Sequence, residues 1–257
     1  MIYDTHTHLF PPGVDKIGTA EMLLAQMDES GVDKAVIFGI YPRVSNQFIA
    51  QQVAQHSDRF IAFASVSPND GPAALDLFDQ CVTDFNPRGL KIHPTMQSFR
   101  ADDVELLTPL MHRVARLNIP VLLHSWGWFG QDSEASPLRV VSLARAFPEV
   151  TFIMAHCGGM RFMDLLSLSR LRRPGRLDNL YVDLSVILFD LKDSPMWPFL
   201  VWTLRTVGLD RVLVGSDFPD YSLVDTFRLA RSLGLSESEM DLILTQNSER
   251  LFGTALT

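Results

Sequence analysis

The chain has almost no cysteine: Cys81 and Cys157 are the only two among 257 residues. A disulfide framework is therefore not expected, and a reducing cytoplasm is the expected compartment. Long apolar runs are missing too. No stretch nears the ~18 residues of a membrane span, so no membrane partner is expected. The first residues lack a basic segment followed by an apolar one, so they do not read as a signal peptide. Positive charge is scarce. Lys and Arg total 22 against 30 Asp and Glu, for a net charge of −8. With no dominant basic block, nucleic acid is not an expected partner. Neither a GxGxxG nor a Walker motif supports a nucleotide-binding fold. What remains is a composition able to bury a core, 47% hydrophobic and 20% charged, in a chain sized for one domain over residues 1–257.

Strand-like and helix-like segments alternate along that domain. Eight strands are predicted: Ile2–His6, Lys34–Ile40, Arg59–Val66, Gly89–His93, Val121–His124, Thr151–His156, Tyr181–Leu184 and Val212–Ser216. Runs such as Ala35-Val36-Ile37-Phe38 suit parallel strands buried on both faces. Between the strands lie helix signals. Ser136-Pro137, Ser194-Pro195 and Thr108-Pro109 read as helix starts, and Ser236 with Glu239 as a capping box. Gly31 and Gly234 stand where helices should end. Regular β-then-α alternation implies a parallel sheet, and eight units favour a closed (β/α)8 TIM barrel, which takes ~250 residues.

Such barrels carry their active sites at the C-terminal strand ends. Ligand-type residues recur there. In Asp4-Thr5-His6-Thr7-His8 the two histidines are two residues apart, so an extended strand points both to one face. Lys91 and His93 close the fourth predicted strand, His124 the fifth and His156 the sixth; Asp217 follows the eighth. Neutral imidazoles and a carboxylate suit zinc and similar divalent ions, with an open position for an activated water. Asp217 is the expected proton acceptor and then donor, with His156 polarising the substrate or orienting water.

These motifs together resemble the amidohydrolase superfamily. Asp4-x-His6-x-His8, Gly89-x-Lys91-x-His93-Pro94, His156-Cys157-Gly158-Gly159, Gly215-Ser216-Asp217-Phe218-Pro219 and the closing Asn247–Gly253 segment look like its amidohydrolase-related branch. That branch includes decarboxylases similar to aminocarboxymuconate-semialdehyde decarboxylase. The resemblance implies that His6, His8, His124 and Asp217 bind one divalent metal, with zinc the expected ion. His156 would lie beside it. A second ion would follow if Lys91 were carboxylated and bridging.

The remaining expectations concern substrate and rivals. Lys91, His93, Arg161 and Trp126 are expected to face a small-molecule substrate. Aromatics in the strand-end loops (Phe10, Trp126, Trp128 and Phe129 among them) with Arg43, Arg100 and Arg161 suit a ring-containing carboxylate. His56 and His112 read as surface residues, and Cys81 and Cys157 as buried structural thiols. Asp183 reads equally well as pocket-facing or structural. The expected reaction is hydrolysis of a carboxylic ester, lactone or amide. Decarboxylation of a small, ring-derived acid is the alternative, because fold and metal do not fix chemistry. Association into a homo-oligomer is left open by the sequence.

Overall fold

A computed structural model gives the structure of the chain and describes residues 1–14, 16–127, 133–166 and 177–253. Among the described residues, eight strand positions form a closed parallel barrel. They are β1 (Tyr3–His8), β2 (Lys34–Phe38), a third strand in two pieces, β3 (Phe60–Ala62) and β4 (Ala64–Ser65), then β5 (Leu90–Ile92) and β6 (Val121–Leu123). After the short β7 (Trp126–Gly127), outside the barrel, come β8 (Phe152–Met154), the short β9 (Gly158–Gly159), β10 (Leu180–Asp183) and β11 (Val212–Leu213). The ladders run β1-β2-β3 and β11-β10-β8-β6-β5-β4, and β7 pairs with β9. Phe63 links the halves of the split strand, its N–H bonding to Ile37 O at 3.0 Å. The ring closes between β11 and β1. Thr5 N donates to Val214 O at 3.0 Å, Asp217 N to His6 O at 2.8 Å and His8 N to Phe218 O at 2.7 Å.

The barrel interior is packed rather than hollow. Val36, Phe38, Phe63, Leu122, Ile153, Tyr181 and Leu213 fill its lower part with Tyr3 and Phe252. Phe252 comes from the closing helix Asn247–Phe252 and packs on Tyr3 and Phe63 at centroid distances of 6.3 and 5.9 Å. It plugs one end with apolar surface, so polar groups collect at the other. A second apolar layer lies between strands and helices and takes up Cys81 and Cys157, both buried free thiols.

Local chemistry accounts for several helix ends. Thr19 caps Ala20–Ser30 and Gly31, at φ 73°, ends it. Ser236 and Glu239 form the full capping box. Other expectations are corrected. Thr108-Pro109 is no helix start: Asp103 caps Val104–Leu117, and Pro109 lies inside the helix. Ser194-Pro195 precedes its helix by two residues; Trp197–Val207 starts with Pro198 in its first turn. Ser136 occupies the cap position before Pro137 without making a side-chain cap bond. Gly234 has a positive φ of 66°, but Ser232 is the residue that ends Leu223–Arg231.

Most strands are shorter than the apolar runs suggest. β6, β8 and β11 stop at Leu123, Met154 and Leu213, before the site residues. Beyond them the backbone leaves the pleat. His156 and Asp217 have φ of 57° and 62°. Left-handed conformations of non-glycine residues carry strain that surrounding contacts must hold, and they cluster at functional sites.

Candidate metal centre and active site

The first strand does not follow a simple two-residue alternation. Between Asp4 and Thr7 it advances three residues while β2 advances two, from Ala35 to Ile37. This bulge resets the phase, so Tyr3, His6 and His8 all face inward. The Asp4 carboxylate holds the bulge by accepting His6 N and Ser216 N, each at 3.0 Å. The end of β11 approaches because residue 215 is glycine. A Cβ there would meet His6 Cβ at 2.5 Å.

Asp217 then sits between the two histidines. Its Oδ1 lies 3.2 Å from His6 Nε2 and 3.2 Å from His8 Nε2. Lys91, inward on β5 and buried, places Nζ 3.4 Å from His6 Nε2. His93, two residues on, stacks on His124 at 3.8 Å between centroids. Met96 N donates to His93 Nδ1 at 3.2 Å, so the neutral His93 ring carries its hydrogen on Nε2 and is a donor there. His124 Nδ1 lies 3.2 Å from His156 Nε2.

Behind this ring stands Asp183, the last residue of β10, fully buried. Its Oδ2 is 2.9 Å from His6 Nδ1, and its Oδ1 accepts His156 N at 3.1 Å and Ser185 N at 3.0 Å. Ser185 Oγ also donates to Oδ1 and contacts His156 Nδ1 at 2.8 Å. The structure thus resolves the Asp183 alternatives: it supports the site from behind. The role of Ser185 is not apparent in the sequence. The available signal is Asp183-Leu184-Ser185 at a strand end, with both polar side chains in reach of the same histidines.

Burial sets the charge states. It lowers His8 and His156 to about 4, His93 to about 2, and His124 well below the ordinary value. Burial thus favours the neutral form of each ring, which keeps one of its two nitrogens as a lone pair. Burial also brings Lys91 down to about 8. Burial works against ionised Asp217 and Asp183, yet both stay below the usual carboxylate range: hydrogen bonds from His6 and His8 hold Asp217, and the His6 charge with its hydrogen bond holds Asp183. For His6, burial and Lys91 push down but the Asp183 and Asp217 carboxylates outweigh them, so its pKa is raised.

The donor set fits a divalent cation. Among the described residues, ligand atoms of His6, His156 and Asp217 all lie within 4.8 Å of one another. Two ligands at ~2.1 Å from an ion, at right to tetrahedral angles, stand about 3.0–3.4 Å apart. The 3.2 Å spacings of His6 and His8 to Asp217 match. His6 also has the carboxylate behind its other nitrogen that metal-ligating histidines favour, whereas buried His8 Nδ1 has no partner among the described residues. His124 reaches this group through His156.

A cavity of about 190 Å³ opens above the cluster. It is lined by His6, His8, Lys91, His93, His124, His156 and Asp217, together with Phe10, Lys16, Ile40, Arg43, Val44, Met96 and Asp220. A larger groove of about 750 Å³ lies outside the barrel against helices Asn46–Gln55 and Pro72–Phe85 and contains no histidine. Two expected substrate contacts do not line the 190 Å³ cavity. Arg161 pairs with Asp164 at 2.7 Å and lies against Gly127. Trp126 borders the site, its ring 5.9 Å from that of His156. Arg100 pairs with Asp102, and Trp128 and Phe129 lie outside the described residues.

A family model described as Amidohydrolase matches residues 3–254. The chain belongs to the amidohydrolase family. Its curated relatives include the γ-resorcylate decarboxylase of Rhizobium radiobacter, 24% identical over 246 residues, spanning 82% of this chain and 75% of the relative. Among solved structures, 2,6-dihydroxybenzoate decarboxylase complexed with 2,6-dihydroxybenzoate superposes with a TM-score of 0.74 at 19% identity, covering 98% of this chain and 99% of the other. A dihydroxybenzoic acid decarboxylase from Polaromonas sp., with bound manganese and the inhibitor 2-nitroresorcinol, gives 0.73 at 17% identity, covering 98% and 96%.

The amidohydrolase chain is thus an enzyme on a TIM barrel, and the expectation of hydrolysis is corrected. The relatives matched over most of their length are named as decarboxylases. The physical reason for the miss is that one donor set of imidazoles and a carboxylate serves either reaction. Zinc is the ion expected from the sequence; the metal recorded in a solved relative is manganese.

Proposed function

We propose that this amidohydrolase is a metal-dependent decarboxylase of a small hydroxylated aromatic acid. The observation that carries the reading is the set of His6 Nε2, His8 Nε2 and Asp217 Oδ1, with the carboxylate oxygen 3.2 Å from each nitrogen, at the floor of a 190 Å³ cavity. That volume lies below the ~300–1,000 Å³ of pockets for drug-sized ligands, which suits a single-ring substrate. His6, His8 and Asp217 would hold one divalent ion, with His124 and His156 beside them. When bound, the ion would supply positive charge that holds the substrate's carboxylate and adjacent hydroxyl oxygen.

The chain's own groups account for the rest. Lys91 Nζ and the His93 Nε2 hydrogen present two donors on one strand face, suited to the substrate oxygens. Phe10, Ile40 and Val44 give the ring apolar walls. Asp217 takes the proton of the neighbouring hydroxyl and returns it to the ring carbon that bears the carboxylate. The carbon–carbon bond then breaks, its electron pair restores the aromatic ring, and CO2 leaves with the phenolate as product. The test is a panel of monocyclic acids, with and without a 2-hydroxyl, offered to metal-loaded enzyme and followed by chromatography. Conversion of 2-hydroxylated members to the phenols supports the reading. No phenol from any member would overturn it.

A further inference from the structure

Beyond the metal-facing donors, one buried hydroxyl controls how they are presented. Ser185 Oγ is in contact with Asp183 Oδ1, with His156 Nδ1 at 2.8 Å and with His6 Nδ1 at 3.3 Å. A serine hydroxyl has one hydrogen and two lone pairs. An ionised carboxylate only accepts, so the Ser185 hydrogen is committed to Asp183. Ser185 Oγ can therefore only accept from the imidazoles. His156 must carry its hydrogen on Nδ1, which leaves its Nε2 as a lone pair. That lone pair lies 3.2 Å from His124 Nδ1, so His124 in turn carries its hydrogen on Nδ1 and has its Nε2 free as a ligand atom.

The relay is anchored in rigid structure. Asp183 ends β10 and accepts the backbone N–H of both His156 and Ser185. Ser185 and Asp183 are fully buried and His156 nearly so. Water therefore has little access to the Nδ1 side of His156, which faces Ser185 rather than the cavity. His6 is set separately, since its Nδ1 lies 2.9 Å from Asp183 Oδ2.

We infer that Ser185 is a positioning residue that fixes the Nδ1–H tautomer of His156, and through it of His124, so that the ring nitrogens beside the metal are lone pairs before the ion arrives. The effect on metal affinity rests on the metal reading above; the tautomers themselves do not.

The experiment compares the full chain with Ser185→Ala and Ser185→Thr. Long-range proton–nitrogen NMR on 15N-histidine protein, metal-free and zinc-loaded, reads each tautomer, with His156→Gln assigning the signal. Calorimetric titration reads the metal affinity. In metal-free parent protein, His156 and His124 are expected as single Nδ1–H tautomers. Alanine should convert His156 to a mixture or to Nε2–H and weaken metal binding about 10–100-fold, the usual cost of losing such a supporting partner. Threonine should restore both. Parent His156 carrying its hydrogen on Nε2, or an unaltered His156 tautomer in Ser185→Ala, overturns the inference. The alanine variant is near-isosteric, so neither outcome depends on the threonine variant folding. A changed tautomer with unchanged metal affinity upholds the positioning role and counts instead against metal binding at this cluster.

Discussion

Replacing Asp183 with Asn should be the most damaging conservative change in the molecule. The carboxylate is fully buried and accepts from His6 Nδ1, His156 N, Ser185 N and Ser185 Oγ. An amide keeps the shape but removes the charge and turns one accepting oxygen into a donor. It must then face either the His6 N–H or the Ser185 and His156 donors, so at least one buried hydrogen bond becomes a clash of donors. Breaking a buried charged pair by removing one partner costs about 3–5 kcal/mol. At about 2–4 °C per kcal/mol for a domain near this size, the melting temperature should fall by roughly 6–20 °C. Metal affinity should fall about 10–100-fold, because either His6 loses the acceptor opposite its ligand atom or the Ser185 and His156 donors lose theirs. Differential scanning calorimetry of chelated protein and metal titration by calorimetry check the two numbers. A variant that melts within about 2 °C of the parent, well inside the expected fall, and binds metal equally well would refute a supporting role for Asp183.

Further outcomes follow from the same contacts. Four depressed histidines (His8, His93, His124 and His156) bind protons in the unfolded chain before they do in the folded one. Metal-free protein should therefore lose stability as pH falls from about 6.5 toward 4, by on the order of 1 kcal/mol per pH unit for each ring. Buried Asp4, raised from its ordinary value to about 7, acts in the opposite sense across the whole of this range but is one group against four; denaturant melts that strengthen on acidification would contradict this. Phe252→Ala should cost about 3–5 kcal/mol by emptying the barrel plug, while metal affinity, read by titration at a temperature where the variant is folded, stays unchanged. Arg43→Ala should raise KM for an acidic substrate, since Arg43 lines the cavity, and Arg161→Ala should not, since Arg161 pairs with Asp164 outside it. Equal KM effects from steady-state kinetics would show that the cavity walls are wrongly drawn.

Much of the architecture is legible in the sequence because eight apolar runs alternate with capped helices, and parallel strands buried on both faces must be continuous in hydrophobicity. The site is legible in outline because ligand-type residues follow those runs. Its geometry is less so. A strict two-residue period would put Thr5 and Thr7 on the face of Tyr3; the bulge at β1 instead brings His6 and His8 there, and no local sequence signal marks it. The left-handed turns at His156 and Asp217 depend on contacts from distant strands. Asp183 is ambiguous in the sequence because its partners, His6 and Ser185, come together only when the barrel closes. Arg161 looks available because the sequence places it after a strand but does not reveal Asp164 as its partner. The choice between hydrolysis and decarboxylation is not legible at all, since both use the same donors.

Metal-dependent decarboxylation is tested most directly by 13CO2 release from a panel of carboxyl-labelled monocyclic 2-hydroxy acids, measured by mass spectrometry as chelated enzyme is titrated with manganese or zinc. The expected result is no release without metal, a rise to a plateau at one ion per chain, and no release from Asp217→Asn at any loading. Absence of labelled CO2 at every metal loading, or full release from chelated enzyme, would contradict it.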